Sequence, residues 1–376
     1  MKRILVLEFI TSFGGVQSVY KNILPELAKG NEILFLNPYS GQDDLGIGDF
    51  DNIEVIDMLL NSPKALNWKR GFIQKISVFL KYGIKYLLYF FRLAGFVKKN
   101  KVELLYVSGK KEFFFAVFIK LLCNIPYIYH AHGFGRVEDI NQFTKLAIKK
   151  AKYVVCVSND VKNKIIKSGV EKENIVVISN GLNLKEAEEK VTRAIPKQKS
   201  KKQFTVVFAG TIQPQKGVAT LVKAVKLLNE KGYGVGLNLV GNCNDLSYME
   251  ELKSFSSADF VSFCGFSDNI YEYFLPADLV VLASREESFG MVLLEAMFAK
   301  KPVIGSDIGG IPDIIVDGET GFLFECDNYI ELAEKILKLY KDRALCESFG
   351  AKGFERVSEM FNSEIQGDRI NKLIND

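Results

Sequence analysis

The chain has 376 residues, 48% hydrophobic and 25% charged, with a net charge of +4. That length supports two domains with full cores, the balance of apolar and charged residues excludes wholesale disorder, and so small a net charge gives no argument for nucleic acid as a partner. The six cysteines are scattered with no pair at metal-ligand spacing, so they read as small hydrophobes in a reducing compartment, with no metal and no cofactor expected. Met1-Lys2-Arg3 runs straight into a strand with an acid at Glu8, which argues against a secretory leader, and no apolar run is long enough to span a bilayer.

Taken in order, Lys2 to Glu8 reads as a buried parallel strand. It breaks at Gly14-Gly15 before a helix over Val19 to Ala28; the two glycines suit either an ordinary tight turn or close approach of the backbone to a ligand. Strands are expected at Glu32–Asn37 and Asn52–Asp57, with Asp49-Phe50-Asp51 in a surface turn that only superficially matches a metal-binding Asp-x-Asp. From Met58 to Val102 there is no acid, while ten Lys or Arg occur. Ile73, Ile76, Leu80, Ile84, Leu87, Phe91 and Ala94 form a stripe at helical spacing expected to bury, flanked by Lys81, Lys85 and Arg92 with Tyr82, Tyr86 and Tyr89 beyond. Two readings stay open: a segment facing an anionic membrane surface, or a core helix with a solvated basic face. Gly83 and Gly95 are expected to weaken the helix.

Strands follow at Val102–Ser108 and Pro126–His130, joined by an aromatic helix around Phe113–Leu122. The second ends in His130-Ala131-His132-Gly133, which holds both histidines of the chain. A histidine there is either a structural hydrogen-bonder or part of a site. After strands at Tyr153–Ser158 and Asn174–Ser179, the polar stretch 185–202 lacks apolar periodicity and reads as a linker. The second half opens with a strand at Gln203–Ala209 and the loop Gly210-Thr211 to Lys216-Gly217 before the helix Val218–Leu228, where Lys216 is placed to meet a phosphate. Strands at Leu237–Gly241 and Asp259–Cys264 lead to Phe266, and helices at Tyr329–Tyr340 and Asp342–Glu359 close the alternation.

The most informative stretch is 284–297. An apolar, β-branched run ending at Ala283 opens through a Gly-containing turn into a helix, which places the turn at the carboxyl end of a parallel sheet, where open α/β folds bind ligands. The N–H groups of Phe289, Gly290, Met291, Val292 and Leu293 are expected as free first-turn donors for phosphate oxygens. Glu287 in front of such a site would repel phosphate, so it suits a neutral hydroxylated group such as a sugar, and Glu295 lies about two turns further along.

Glu287 and Glu295, with Phe289-Gly290, Lys301-Pro302-Val303 and Gly309-Gly310-Ile311-Pro312, resemble the Glu-x7-Glu signature of retaining GT-B glycosyltransferases of family 4. The resemblance covers nearly the whole chain and most specifically residues 204–325. It implies two Rossmann-like α/β domains facing a central cleft: an acceptor-binding domain over 1–184, a linker over 185–202, a nucleotide-sugar-binding domain over 203–361, and a helix over 362–376 returning to the first domain. It also implies a hexosyltransferase-type, metal-independent enzyme moving a sugar from a nucleotide-diphosphate sugar donor to a glycan or lipid-linked glycan acceptor. Lys216 and Gly14-Gly15 would hold the diphosphate, Gly210, Thr211 and Phe266 would lie along the nucleotide, Glu295 would bind the ribose, and Glu287 and His132 would contact the donor sugar, with His130 as support. Thr211 stands where the family usually has an arginine, and Arg285 is a candidate replacement for that charge. The expected location is cytoplasmic, peripheral on the membrane face, in surface polysaccharide or glycolipid synthesis. The competing classes are a nucleotide-sugar epimerase on the same fold, which the Glu-x7-Glu context disfavours, and a non-catalytic partner subunit, for which Thr211 is the argument.

Overall fold

A computed structural model describes residues 1–9, 15–40, 45–60, 72–171, 173–197, 204–255 and 260–376, with backbone alone for 72–83, 110 and 111. In chain order the elements are β1 (Lys2–Leu7), α1 (Gly15–Ala28), β2 (Asn31–Leu36), β3 (Ile53–Val55), α2 (Phe72–Lys99), β4 (Leu104–Val107), α3 (Lys110–Cys123), β5 (Tyr127–Ala131), α4 (Gln142–Lys150), β6 (Tyr153–Cys156), α5 (Asn159–Lys167) and β7 (Ile175–Val177). There follow α6 (Leu184–Arg193), β8 (Phe204–Ala209), α7 (Val218–Glu230), β9 (Val235–Val240), α8 (Leu246–Phe255), β10 (Val261–Gly265), α9 (Tyr271–Phe274), β11 (Leu279–Leu282) and α10 (Met291–Phe298). The chain ends with β12 (Val303–Ser306), α11 (Ile311–Ile314), β13 (Gly321–Phe324), α12 (Tyr329–Lys341), α13 (Arg343–Met360) and α14 (Ser363–Asn375).

Two compact units result: Met1–Val157 with Val161–Ile178 and Ser363–Asp376, and Ser158–Asp160 with Ser179–Asn362. The first is built on a seven-stranded sheet of order β3-β2-β1-β4-β5-β6-β7, the second on a six-stranded sheet of order β10-β9-β8-β11-β12-β13. Every neighbouring pair is parallel. Parallel strands covered on both faces are apolar without alternation, as in Ile4-Leu5-Val6-Leu7 and Leu279-Val280-Val281-Leu282, all buried. In each sheet the strand order reverses once, between β1 and β4 and between β8 and β11, and the crevice beyond such a reversal is where open α/β sheets take ligands. The last helix belongs to the first unit: α14 lies on α1, with Ile370 and Ile374 in its core and Asn371 donating to the Glu26 carbonyl at 3.1 Å.

Three expectations change. Residues 185–193 of the stretch read as linker lie in α6, because Asn183 caps it by accepting from the Glu186 N–H at 3.1 Å, and Lys190–Glu186 and Arg193–Glu189 pair one turn apart; residues 198–202 lie outside the described residues. Helix α2 runs unbroken through Gly83 and Gly95. Its buried side is also not the expected one. Ala94 of the expected stripe does face inward, together with Tyr89, Leu93 and Val97, whereas Ile84, Leu87 and Phe91 are 60%, 50% and 57% exposed. The reason is aromatic packing: the Phe90 ring packs tilted against Phe115 and Phe118 of α3 at 4.5 and 4.3 Å, and the Tyr89 hydroxyl donates to the Met58 carbonyl at 2.8 Å, which sets the face the helix turns inward. Ile73, Ile76, Leu80, Lys81 and Tyr82 have side chains outside the described residues. All six cysteines are free; Cys156 and Cys346 are buried and the other four half-buried.

Candidate active site

The second unit's reversal point is built by the two loops that leave β8 and β11. After β8 the chain makes the turn Pro214–Lys216 and enters α7 through Gly217, whose φ is +62° and where an added Cβ would lie 1.7 Å from the Ala283 carbonyl oxygen. Only glycine allows that approach. It brings the first loop against the end of β11, and the Arg285 N–H then donates to the Gln215 carbonyl at 2.8 Å. The side chains of the two loops meet as a result. Lys216 Nζ lies 2.7 Å from Glu287 Oε2, both half-buried, and Ser284 Oγ donates to the same oxygen at 3.3 Å. The Glu287 carbonyl also accepts from the Gly310 N–H at 3.1 Å, which fixes the loop from the side of β12.

Gly290 caps α10 with φ at +109°, and the helix axis points its N-terminus at this loop. One expected donor is not free: the Leu293 N–H bonds the Gly290 carbonyl at 2.9 Å, a tight first turn. Phe289 is buried, its ring 6.0 Å from Phe361, so its side chain serves packing. Met291 and Val292 are half-buried, Leu293 is buried, Gly210 and Thr211 are exposed, and Phe266 is 67% exposed beyond β10.

Glu295, on α10 and half-buried, has its carboxyl pushed up to about 7 by burial, against the pull of Lys190 and with a smaller push from Glu186, both on α6. Beside it is Tyr271, buried, with a hydroxyl that has no hydrogen-bond partner and a phenol raised by burial and then by Glu295. Tyr271, Lys190 and Ser284 were not singled out in the sequence. Tyr271 carried a signal, a tyrosine opening the helix directly after the β10 loop, but an apolar helix position reads equally as core. Arg285, the candidate replacement for the charge missing at Thr211, has its Nε on both carboxylate oxygens of Asp327, at 2.8 and 3.0 Å.

The remaining site residues lie in the first unit. Gly15 opens α1, while Gly14 lies outside the described residues. His132 follows β5 directly; its ring is 4.1 Å from that of His130, and the Nε2 of each is buried with no hydrogen-bond partner. Burial drives His132 down to about 3, and burial with His132 beside it drives His130 well below the ordinary value. Lys85 and Arg92 are exposed on α2. Among the described residues no three His, Cys, Asp or Glu side chains cluster as a metal site, and Asp49 and Asp51 are exposed in a turn.

A parallel sheet with a Lys–Glu pair at its reversal, repeated architecture in the other unit and a crossing terminal helix define a known class. Residues 188–356 match the family of glycosyl transferases group 1, and residues 13–186 match glycosyltransferase family 4. The capsular polysaccharide biosynthesis glycosyltransferase CapM of Staphylococcus aureus is 30% identical over 271 residues, 66% of this chain and 70% of that protein. An N-acetyl-alpha-D-glucosaminyl L-malate synthase of Bacillus anthracis is 29% identical over 234 residues, 61% of this chain and 61% of that protein. Among solved structures, Anabaena Alr3699/HepE in complex with UDP and glucose aligns over 100% of both chains with a TM-score of 0.78 at 19% identity. The chain belongs to the group 1 glycosyltransferases, and its fold is GT-B.

Proposed function

We propose that this glycosyltransferase moves a sugar from a nucleotide-diphosphate sugar to a glycan acceptor in surface polysaccharide or glycoconjugate synthesis. The observation that carries the reading is the Lys216–Glu287 pair, 2.7 Å apart at the reversal of the second sheet and beside the start of α10. The relatives support it: CapM is named for capsular polysaccharide synthesis, and HepE was crystallised with UDP and glucose.

In this reading the diphosphate of the donor displaces Glu287 from Lys216. The ammonium and the N–H groups of Gly290 to Val292 meet the charge that builds on the departing diphosphate, and fixed donors do so without reorganisation. Glu287, released, accepts hydroxyls of the donor sugar, Glu295 accepts from the ribose, and Tyr271 donates beside it. Gly14, Gly15 and His132 are the contributions of the first unit, with His132 on the donor sugar. A hexosyl donor, a metal-independent diphosphate site and departure and attack on the same face with retention complete the reading. A non-catalytic partner subunit is the second reading, favoured by Thr211 and by the engagement of Arg285 with Asp327.

A lipid-linked acceptor and peripheral binding to an anionic membrane belong to the same proposal. The support is the face of α2 that the aromatic packing turns outward, where Ile84, Leu87, Leu88 and Phe91 are exposed alongside Lys85 and Arg92. Among the described residues no helix is long and apolar enough to cross a membrane.

The test is thermal stabilisation across UDP, GDP, UDP-glucose, UDP-galactose, UDP-N-acetylglucosamine and GDP-mannose, with release of free nucleotide followed for each donor. A shift with one base, lost in Lys216→Ala, is expected; no shift with any nucleotide puts the partner-subunit reading first. Sedimentation with phosphatidylglycerol vesicles, expected for the wild type and lost in a Leu88→Glu, Phe91→Glu double variant, tests the membrane part.

A further inference from the structure

Glu287 has a second partner within its own loop. Ser284, the second residue past β11, is fully buried, and its hydroxyl donates to Glu287 Oε2 at 3.3 Å. That is the same oxygen that Lys216 Nζ holds at 2.7 Å, and Oε1 takes part in neither contact. The unequal lengths follow from charge. An ammonium draws a carboxylate more strongly than a hydroxyl does, so the serine is left with a bond longer than the roughly 2.7–2.8 Å usual between a hydroxyl and an oxygen.

The backbone of this loop is held on both sides. On one, the N–H groups of Arg285 and Glu286 donate to the Gln215 carbonyl at 2.8 and 3.4 Å. On the other, the Glu287 carbonyl accepts from the Gly310 N–H at 3.1 Å, and a Cβ added at Gly309 would lie 1.8 Å from that carbonyl oxygen. Ser284 is anchored separately. Its carbonyl accepts from the hydroxyl of Ser306, a fully buried residue of β12, at 2.5 Å, and from the Cys326 thiol, just past β13, at 3.9 Å. A carboxylate pushed off Lys216 therefore pivots about its own side-chain bonds, while Ser284 stays in place. With only 14% of its side chain exposed, and with a second negative charge arriving beside it, Glu287 then needs another donor. Ser284 already reaches it.

We propose that Ser284 is a positioning residue for Glu287: as the diphosphate of the donor takes Lys216, the Ser284 hydroxyl keeps Glu287 Oε2 and leaves Oε1 to accept a hydroxyl of the donor sugar. Lysine and serine hold one carboxylate oxygen in turn. No covalent bond changes, and the serine keeps its proton. The proposal rests on the reading of Lys216 as the diphosphate ligand and Glu287 as a sugar contact, and names what holds Glu287 once the lysine has let it go.

Titration calorimetry of the full chain with UDP and with inorganic pyrophosphate tests this, since pyrophosphate carries the diphosphate without base or sugar. In Ser284→Ala both ligands are expected to bind about tenfold more weakly, the scale of one hydrogen bond to a charged group. In a Glu287→Ala background the same change should have no further effect, because the group that the serine holds is gone. Serine acting as mere packing would cost the same in both backgrounds. Ser284→Cys, close in size and a weak donor, should repeat the loss and serves where Ser284→Ala does not fold. A loss that persists undiminished in Glu287→Ala overturns the proposal, and so do Ser284→Ala and Ser284→Cys variants that bind both ligands as the wild type does. Wild-type affinity for both ligands in Lys216→Ala, or a wild type that binds neither, removes instead the reading of Lys216 beneath it and takes the proposal with it.

Discussion

At the reversal of the second sheet a lysine and a glutamate meet at 2.7 Å in a half-buried, charged and hydrogen-bonded pair. At the reversal of the first, a serine meets one of two buried glutamates, and at the end of β5 burial holds the pKa of two histidines far below the ordinary range. The same topology thus presents opposite chemistry. A lysine paired with a carboxylate presents charge that an anion can meet, whereas the buried acids, phenols and imidazoles of the first reversal present enclosed hydrogen-bonding groups. What differs is the loops, since both reversals are formed by the same run of buried parallel strands.

The comparison breaks first at Lys216. Lys216→Ala and Glu287→Ala are each expected to lower turnover by roughly 10²–10³-fold, the range for removing one group that stabilises developing charge. Steady-state release of nucleotide checks it, and an effect confined to KM would mean that the pair serves binding alone. Next comes Gly217→Ala. A Cβ 1.7 Å from the Ala283 carbonyl must push the two loops apart, so the variant should lose stability by about 1–3 kcal/mol in urea unfolding, and lose turnover with it. A Gly217→Ala variant with wild-type unfolding would show that the loops do not depend on that approach.

Much of this was legible in the sequence because it is local. The apolar runs at Leu5–Leu7 and Val280–Leu282 needed no partner to read as buried parallel strands, and the stretch from Ser284 to Met297 carried its strand, turn and helix within fourteen residues. Lys216 and Glu287, singled out separately, are joined in the structure across 71 positions. The pair at the first reversal was not legible. Glu112 comes to act on Glu8 because the first turn of α3 lies at the end of β1, where Glu112 accepts from the Phe9 N–H, and a lone acid at a strand end carries no such signal. Helix α2 failed for a related reason: a stripe at helical spacing identifies an amphipathic helix, but Phe90 against Phe115 and Phe118 decided which side went inward. The stretch 185–202 lacked an apolar stripe because α6 buries little beyond Ala187 and rests on its cap and ion pairs.

A smaller effect sharpens the contrast on the first-unit side. If His132 contributes a neutral hydrogen bond to a sugar hydroxyl, His132→Ala should cost about tenfold in turnover per KM, well short of the Lys216 effect. Glu295 gives an effect of similar size through pH. A ribose-binding carboxylate must be ionised, and Glu295 ionises near 7, so UDP should bind more tightly as pH rises from 6 to 8. In Glu295→Gln, titration calorimetry at the two pH values should show that dependence gone.

The smallest expected effect is on stability itself, and the two reversals enter it with known signs. His130 and His132 are lowered from 6.5 in the folded chain, so below 6.5 the unfolded chain binds more protons and their contribution to stability falls as pH falls, until His132 itself takes up a proton near 3. Glu8 and Glu295 are raised from 4.5 to about 8 and about 7, so between 4.5 and those values the folded chain binds more protons and their contribution falls as pH rises. From these groups, stability should climb with pH up to about 4.5, stay nearly level to about 6.5 while two histidines and two glutamates oppose each other, and decline to about 8. Urea midpoints across that range test the shape. Glu8→Gln should shallow the alkaline decline and tilt the level stretch upward, whereas replacing His132 by glutamine should shallow the acid limb and tilt the level stretch downward. An alkaline decline that both Glu8→Gln and Glu295→Gln leave intact would place the titrating groups elsewhere in the chain, and the burial of these two carboxyls would then hold no proton against the solvent.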